Sequence, residues 1–587
     1  MKTEFRSQKP GESCSSLFSW MGVMCSPVMS IFRRGVGRKW MVDCIVWNGR
    51  IRTMDPLCPW AQAFAISGGR FVVVGSNDEV LPLQRGVPYC RKIDLRGRLV
   101  LPGFTESHMH LLDWALGRQQ IDLHTLGSLK DVLAAVKTHV EDRTVAPMRG
   151  GWVLGLGWNE SRWPEKRMPL RQDLDRVCAD RPVLLLRSDL HLAVANSRAL
   201  ALSGIGVDTP EPDQGVIGRD EAGVPNGILQ DLAIHLVRKV IPEPTEAEAE
   251  DAVLSALPAL QSLGLTGIHD FRLMDGIEGP LCLRILQRLR ERDELGMRVW
   301  WLAPDRLFSE VVGLGVRTGM GDDMLRIGHL KLFADGSLGA HTAWMMEPYR
   351  SGGCGIQLKP MTEIALRIRC AEEAGIAVAV HAIGDRANHE LIALFEDLER
   401  SRPGHIRRTM ARAPHRIEHL QMVRPEDICR LGRLSVMGSV QPRQATDDIA
   451  LMAREIGDRG RISYRFRDLI NAGVELALGS DCPVADPSPL NGIHAAVTRQ
   501  REDGSPEGGW YPDQCLNVDE AVWGYTVGPA RITARERDLG SITPGKLADF
   551  VVLDSDIYRM DPREILNTRV EMTVCGGRVV YDQRRDA

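Results

Sequence analysis

Residues 99–110 read LVLPGFTESHMH. An apolar run closes around a Pro-Gly pair, and His108 and His110 follow it two positions apart. On an extended segment such residues point the same way, so both imidazoles can reach one ion. A buried strand ending in paired histidines is the pattern expected at the C-terminal rim of a parallel barrel, where such folds place their chemistry. Alone, a His-x-His pair fits surface or core histidines equally well, so its meaning depends on the rest of the chain.

Seven further runs have the same character: LTGIHD (265–270), RVWWLA (298–303), IGHLKLF (327–333), IAVAVHA (376–382), HRIEHL (415–420), LSVMGSV (434–440) and VELALGS (474–480). Mostly apolar strands separated by helical stretches are what a doubly covered parallel sheet demands. Eight of them predict an α/β chain with a (β/α)8 TIM barrel over 99–529. Between the first and second strands, residues 113–263 form a long insertion with strand candidates of its own, GWVLGLGW (151–158) and PVLLLRSD (182–189). It reads as an added subdomain rather than a loop.

Outside the barrel the pattern changes to short alternating strands. Turn signals at Asn48-Gly49, Gly68-Gly69 and Gly576-Gly577 suggest hairpins. Residues 41–98 and 530–587 together predict one β-sandwich built from both termini. Residues 1–40 carry an apolar run from Leu17 to Phe32, broken by Pro27 and followed by Arg33, Arg34, Arg38 and Lys39. The basic cluster lies on the wrong side for a signal peptide, and the run is too short to span a bilayer. It reads as a disordered extension ahead of a start at Met41.

Composition narrows the function classes. A net charge of −4 over 587 residues offers no basic surface for nucleic acid and no acidic tail. Thirteen cysteines, an odd number without a Cys-x-x-Cys pair, fit reduced thiols in the cytoplasm. The expected partner is a small-molecule substrate, with no nucleic acid and no membrane; a homo-oligomer is compatible with the chain.

Applied to the other strands, the rim test places Lys331 in the fourth, His381 at the end of the fifth, His419 at the end of the sixth and Asp481 after the eighth. A barrel brings these ends together. Imidazole and carboxylate donors suit a divalent metal, with zinc foremost. Lys331 has two readings. In an apolar strand its neutral amine is favoured and can combine with carbon dioxide to give a metal-bridging carbamate. Otherwise it is a lysine paired with Asp335, four residues on.

The ordered motifs PGFTESHMHL, KLFADGSLG, HAIGDRA, RIEHLQ and GSDCPV resemble the amidohydrolase superfamily. The branch they resemble is the amidohydrolase 3 group that includes N-substituted formamide deformylases. The terminal GSITPGKLADFVVLD and VCGGRVV are similar to that superfamily's composite β-sandwich. The resemblance implies that His108 and His110 bind one metal, His381 and His419 a second, and carboxylated Lys331 bridges them. It makes Asp481 a metal ligand and the catalytic base. Glu106 stands where the branch more often has aspartate, and Ala340-His341 where it more often has Ser-Arg, which puts substrate identity in question rather than chemistry.

The implied activity is hydrolysis of a non-peptide C–N bond, amide or formamide, by metal-activated water. Lactone, ester or cyclic-amide hydrolysis uses the same centre, and a catalytically silent oligomeric scaffold keeps the fold without it. A serine hydrolase is disfavoured because DGSLG (335–339) is not a G-x-S-x-G elbow, and no dinucleotide or P-loop glycine fingerprint is present. Trp158, Asn159, Trp163, Asp189, His191 and Asn196 in the insertion, with His341, resemble pocket-lining segments; core roles fit them as well. Asp335 and Ser337 are candidates to orient Lys331 or meet substrate. His269 and Asp270 read as a structural pair on the rim.

Overall fold

Strands buried on both faces need apolar residues at nearly every position, and eight segments meet that demand. They are Phe104–Met109, Leu265–Asp270, Arg298–Pro304, Leu325–Phe333, Val378–Ala382, His415–His419, Val436–Val440 and Leu476–Leu478. All neighbours in this sheet run parallel and follow chain order, with helices between them. The ring closes just past the last ladder. His110 donates its N–H to Cys482 O at 2.7 Å, Asp481 donates to His108 O at 2.7 Å, and Ser107 Oγ donates to Leu478 O at 2.6 Å. The chain is therefore a (β/α)8 TIM barrel. The computed structural model describes residues 42–586 apart from 86–88, 124, 143–148, 161–162, 188–191, 213–214, 232, 272–278 and 405–411. The expected extension at 1–40 lies outside the described residues.

Alternation along the strands sorts the barrel wall. Val299, Trp301, Leu330, Leu332, Val378, Val380 and Ile417 join the core shared with the surrounding helices. Trp300, Leu302 and Ala379 pack in a separate cluster with Phe271. Among these inner side chains lie the buried polar groups Lys331, Arg416 and Glu418.

Two sheets with strands from both ends of the chain form the flanking β domain. One has the order Arg70–Gly75, Ala63–Ser67, Cys44–Trp47, Arg91–Asp94. The other runs Arg578–Asp582, Val570–Cys575, Phe550–Leu553, Leu99–Pro102, Arg50–Arg52, Trp60–Ala61. Phe64, Phe71 and Phe550 meet between them, with edge-on ring pairs 5.0 Å apart. A buried Arg298–Asp549 pair at 2.6 Å ties this domain to the third barrel strand.

Four boundaries differ from the sequence reading. The run at 99–104 is not one barrel strand: Leu99–Pro102 pairs antiparallel with Phe550–Leu553, and the barrel strand begins at Phe104. An apolar run records burial but not which sheet buries it. Asn48-Gly49 does not close a hairpin, because Cys44–Trp47 and Arg50–Arg52 belong to different sheets. The chain crosses between sheets there, with Asn48 left-handed at φ 58 and Gly49 so close to Leu95 that an added Cβ would stand 2.3 Å from Leu95 Cδ1. The insertion is narrower than 113–263. Helix Leu111–Gly117 and helix Glu246–Ser262 pack into the barrel core through Leu111, Leu112, Ala115, Ala249, Val253, Ala256 and Leu260. Finally, the barrel portion runs past 529, since helix Val527–Ile532 packs Ile532 against Met437 and Ala477.

What remains inserted is a six-stranded mixed sheet, ordered Gly215–Arg219, Pro225–Asp231, Leu192–Ala195, Val183–Arg187, Val153–Trp158, Ile121–Asp122. It has its own apolar clusters on its two faces. No helix among the described residues is long and apolar enough to cross a membrane.

Candidate metal centre

The barrel rim gathers His108, His110 and Asp481 so that one donor atom from each lies within 4.8 Å of the others. His108 is in the first barrel strand and His110 directly follows it; Asp481 sits in the turn after the eighth, in the left-handed region at φ 62. Asp481 Oδ1 stands 3.1 Å from His110 Nε2 and 3.5 Å from His108 Nε2. Its Oδ2 accepts from Gln444 Nε2 at 3.0 Å. His419 adjoins this group, its ring centre 5.0 Å from that of His108 and 4.5 Å from that of His381.

Each histidine commits one ring nitrogen to an oxygen acceptor. His108 Nδ1 lies 2.7 Å from Glu418 Oε2, His110 Nδ1 3.3 Å from Phe271 O, His419 Nδ1 2.9 Å from Gln441 Oε1 and His381 Nε2 3.0 Å from Gly336 O. A ring nitrogen that donates in this way leaves the other with a free lone pair, the form a metal ligand must take. Burial, reinforced by Lys331, pushes His108 well below the ordinary imidazole range. Burial and then His419 do the same to His381, and burial lowers His419 against the opposing charge of Asp481. Burial alone would raise the Asp481 carboxyl, but His108 and then His110 and His419 around it bring it well below the usual carboxylate range. Neutral imidazoles at His108, His381 and His419 beside an ionised carboxylate fit a divalent cation as a donor set.

Lys331 is 2 % exposed, and burial brings its ammonium down to about 8 despite Glu418 and Asp481. Its Nζ faces the rings of Phe271 and Phe333, 4.8 Å from each centre. Pairing with Asp335 is not the arrangement found. Asp335 is fully buried and accepts the backbone N–H groups of Trp344, Ile383 and Gly384 at 2.8–3.0 Å. It joins the loops after the fourth and fifth strands and has no exposed face for a substrate, which corrects its expected substrate role. Ser337 organises its own turn, donating and accepting with Thr342 and Ala340 rather than orienting Lys331.

Other expected pocket residues are also placed elsewhere. Trp158 and Trp163 are fully buried in the core of the inserted sheet, where their indole N–H groups donate to Leu185 O at 3.0 Å and Leu126 O at 3.1 Å. They are core residues, because an indole buried with its N–H satisfied has nothing left to present. Asn196 caps helix Ser197–Leu202 and bonds Val183 N, Cys178 O and Arg181 O. His341 stacks on Tyr349 and approaches Ser351 Oγ at 3.3 Å and Glu455 at 3.7 Å. Asp189 and His191 lie outside the described residues. Asp270 accepts Leu111 N at 3.0 Å, and His269 Nδ1 lies 3.0 Å from Arg416 Nη1.

The sequence reading did not assign Glu418, Gln441, Gln444 or Phe271, which surround the candidate ligands. Phe271 stacks flat on His108 at 3.7 Å. Glu418 carried a readable signal: with Arg416 it occupies the alternate face of a strand that otherwise points to the helices. Glu106 accepts His108 N and Ser480 N, both at 2.9 Å, bracing the seam where the barrel closes. Burial lifts its carboxyl to about 8.

A (β/α)8 barrel with an imidazole–carboxylate cluster at its strand ends defines the class of metal-dependent barrel hydrolases. Residues 91–581 match the model of the amidohydrolase family (Amidohydro_3), and the chain belongs to that family. It is 32% identical over 542 residues to the putative amidohydrolase YtcJ of Bacillus subtilis (strain 168), covering 92% of this chain and 99% of that protein. It is 29% identical over 565 residues to N-substituted formamide deformylase of Arthrobacter pascens, at the same coverages. A solved structure of an uncharacterized metal-dependent hydrolase from Pyrococcus horikoshii OT3 is similar with a TM-score of 0.72 and 28% identity, over 88% of this chain and 99% of that one.

Proposed function

We propose that this chain hydrolyses a non-peptide C–N bond of a small amide or formamide, with a divalent metal, zinc foremost, held at the barrel rim. The observation that carries the reading is the convergence of His108, His110 and Asp481 within 4.8 Å, with the spare imidazole nitrogens already committed to acceptors. Similarity to a formamide deformylase over nearly the whole chain supports the bond type. In this reading His381 and His419 complete a second ion's donors. Lys331, buried and with its ammonium brought down to about 8, would be the residue to carry a carbamate, whose negative charge would add oxygen donors to those of the histidines.

A bound ion brings the pKa of water toward neutrality and polarises a carbonyl. The protein groups do the rest. Asp481 is ionised, so one of its oxygens can take the proton from the attacking water and later deliver it to the departing nitrogen. Gln444 fixes the carboxylate so that Oδ1 faces the imidazoles. Phe271 covers one face of His108, and burial of the rim favours the neutral forms of His108, His381 and His419.

The test pairs metal analysis with a substrate screen. Protein expressed with zinc should carry about one or two equivalents and cleave at least one N-substituted formamide, N-acyl amine or hydantoin. Chelator treatment should abolish turnover, and zinc should restore it. Cleavage of lactones alone would overturn the C–N assignment. Protein without stoichiometric metal and without turnover would instead be a scaffold.

A further inference from the structure

Inside the barrel, below the rim, Arg416 and Glu418 form a fully buried ion pair on the sixth strand. Neither belongs to the candidate metal-ligand set. Glu418 Oε2 reaches up to His108 Nδ1 at 2.7 Å and also accepts from Arg416 Nη2 at 3.0 Å. Arg416 is itself anchored, donating to Ser107 O at 2.8 Å and meeting His269 Nδ1 at 3.0 Å, with its guanidinium 5.1 Å from the centre of the Phe271 ring. Phe271 lies flat against His108. His108 is thus held on one face by a ring and at one nitrogen by a carboxylate.

A carboxylate facing a guanidinium is an acceptor only, so the proton between Glu418 and His108 must sit on His108 Nδ1. That leaves Nε2 bare, and Nε2 is the nitrogen 3.5 Å from Asp481 Oδ1. We propose that Glu418, oriented by Arg416, is a positioning residue that sets the tautomer and ring orientation of His108 for metal binding. The inference rests on the metal-centre reading above. Arg416 has two tasks. It makes burial of the Glu418 charge tolerable, and through Ser107 O it fixes the strand segment next to His108. Removing an acceptor of this kind from a metal-binding histidine typically costs about 10- to 100-fold in metal affinity.

The test measures zinc affinity of the full chain by competition with a chromogenic chelator, alongside circular dichroism of the metal-free protein. Glu418→Gln keeps the shape, but its one carbonyl oxygen cannot serve His108 and Arg416 as the carboxylate does. Arg416→Met with Glu418→Leu removes both charges together, which avoids stranding one in the interior. Both proteins should bind zinc about 10- to 100-fold more weakly while keeping the wild-type spectrum. Should Glu418→Gln fail to fold, the double variant decides alone. Unchanged zinc affinity in a folded variant would overturn the positioning role. A wild-type chain that binds no zinc would overturn the metal-centre reading itself, and the two failures are distinct.

Discussion

Asp481→Asn is expected to lower kcat by about 100- to 10,000-fold on whichever C–N substrate the wild type cleaves, the range for losing a positioned general acid–base. The substitution keeps the size and planarity of the side chain. It removes the negative charge that His108 and His110 stabilise and the lone pair that would take a proton from water. Gln444 Nε2 remains as a donor to the amide oxygen, so the side chain should stay in place. Metal content must be measured on the same sample, because Asp481 is also placed as a ligand. A variant that keeps its zinc and loses turnover assigns the base; one that loses both assigns the ligand. Equal activity in variant and wild type would remove Asp481 from the chemistry.

Trp158→Ala is expected to destabilise the inserted subdomain by about 3–5 kcal/mol, as for large-to-small changes at a closed core site. The residue has no exposed surface, packs 6.1 Å from Trp163 and satisfies Leu185 O. Removal leaves a cavity and takes away the indole donor to Leu185 O. Trp158→Phe should cost less, chiefly the lost indole hydrogen bond, about 0.5–1.5 kcal/mol. A chain with several domains need not unfold in one step, so the measurement should be local. Amide exchange in Val153–Trp158 and Val183–Arg187 should accelerate while the barrel strands stay protected. Unchanged protection with a raised KM would return Trp158 to the substrate pocket.

The barrel was legible because its strands are buried on two faces, and burial writes itself into residue type at every position. The candidate ligands were legible for a related reason. Rim chemistry sits where a strand ends, and His108, His110, His381, His419 and Asp481 all mark such ends. The sheet that claims Leu99–Pro102 was not legible, since apolar residues serve a sandwich and a barrel equally. The roles of Trp158 and Trp163 were not legible either, because the same indole lines a pocket or fills a core according to what faces it.

His419 shows most plainly where sequence stops. Alternation puts it on the side of His415 and Ile417, which meet Glu372, Phe395 and the helix-facing core. His419 instead lies beside His381 and His108, because its backbone turns into the left-handed region at φ 75. The sequence by itself determined the strand count, the family motifs and which residue types reach the rim, since each of these is a local property of the chain. Only the tertiary structure decided which nitrogen of each histidine is free. Those choices belong to Glu418, Gln441, Gly336 and the Phe271 carbonyl, partners outside each histidine's own strand, and a hydrogen bond across a barrel leaves no mark on the spacing of either residue.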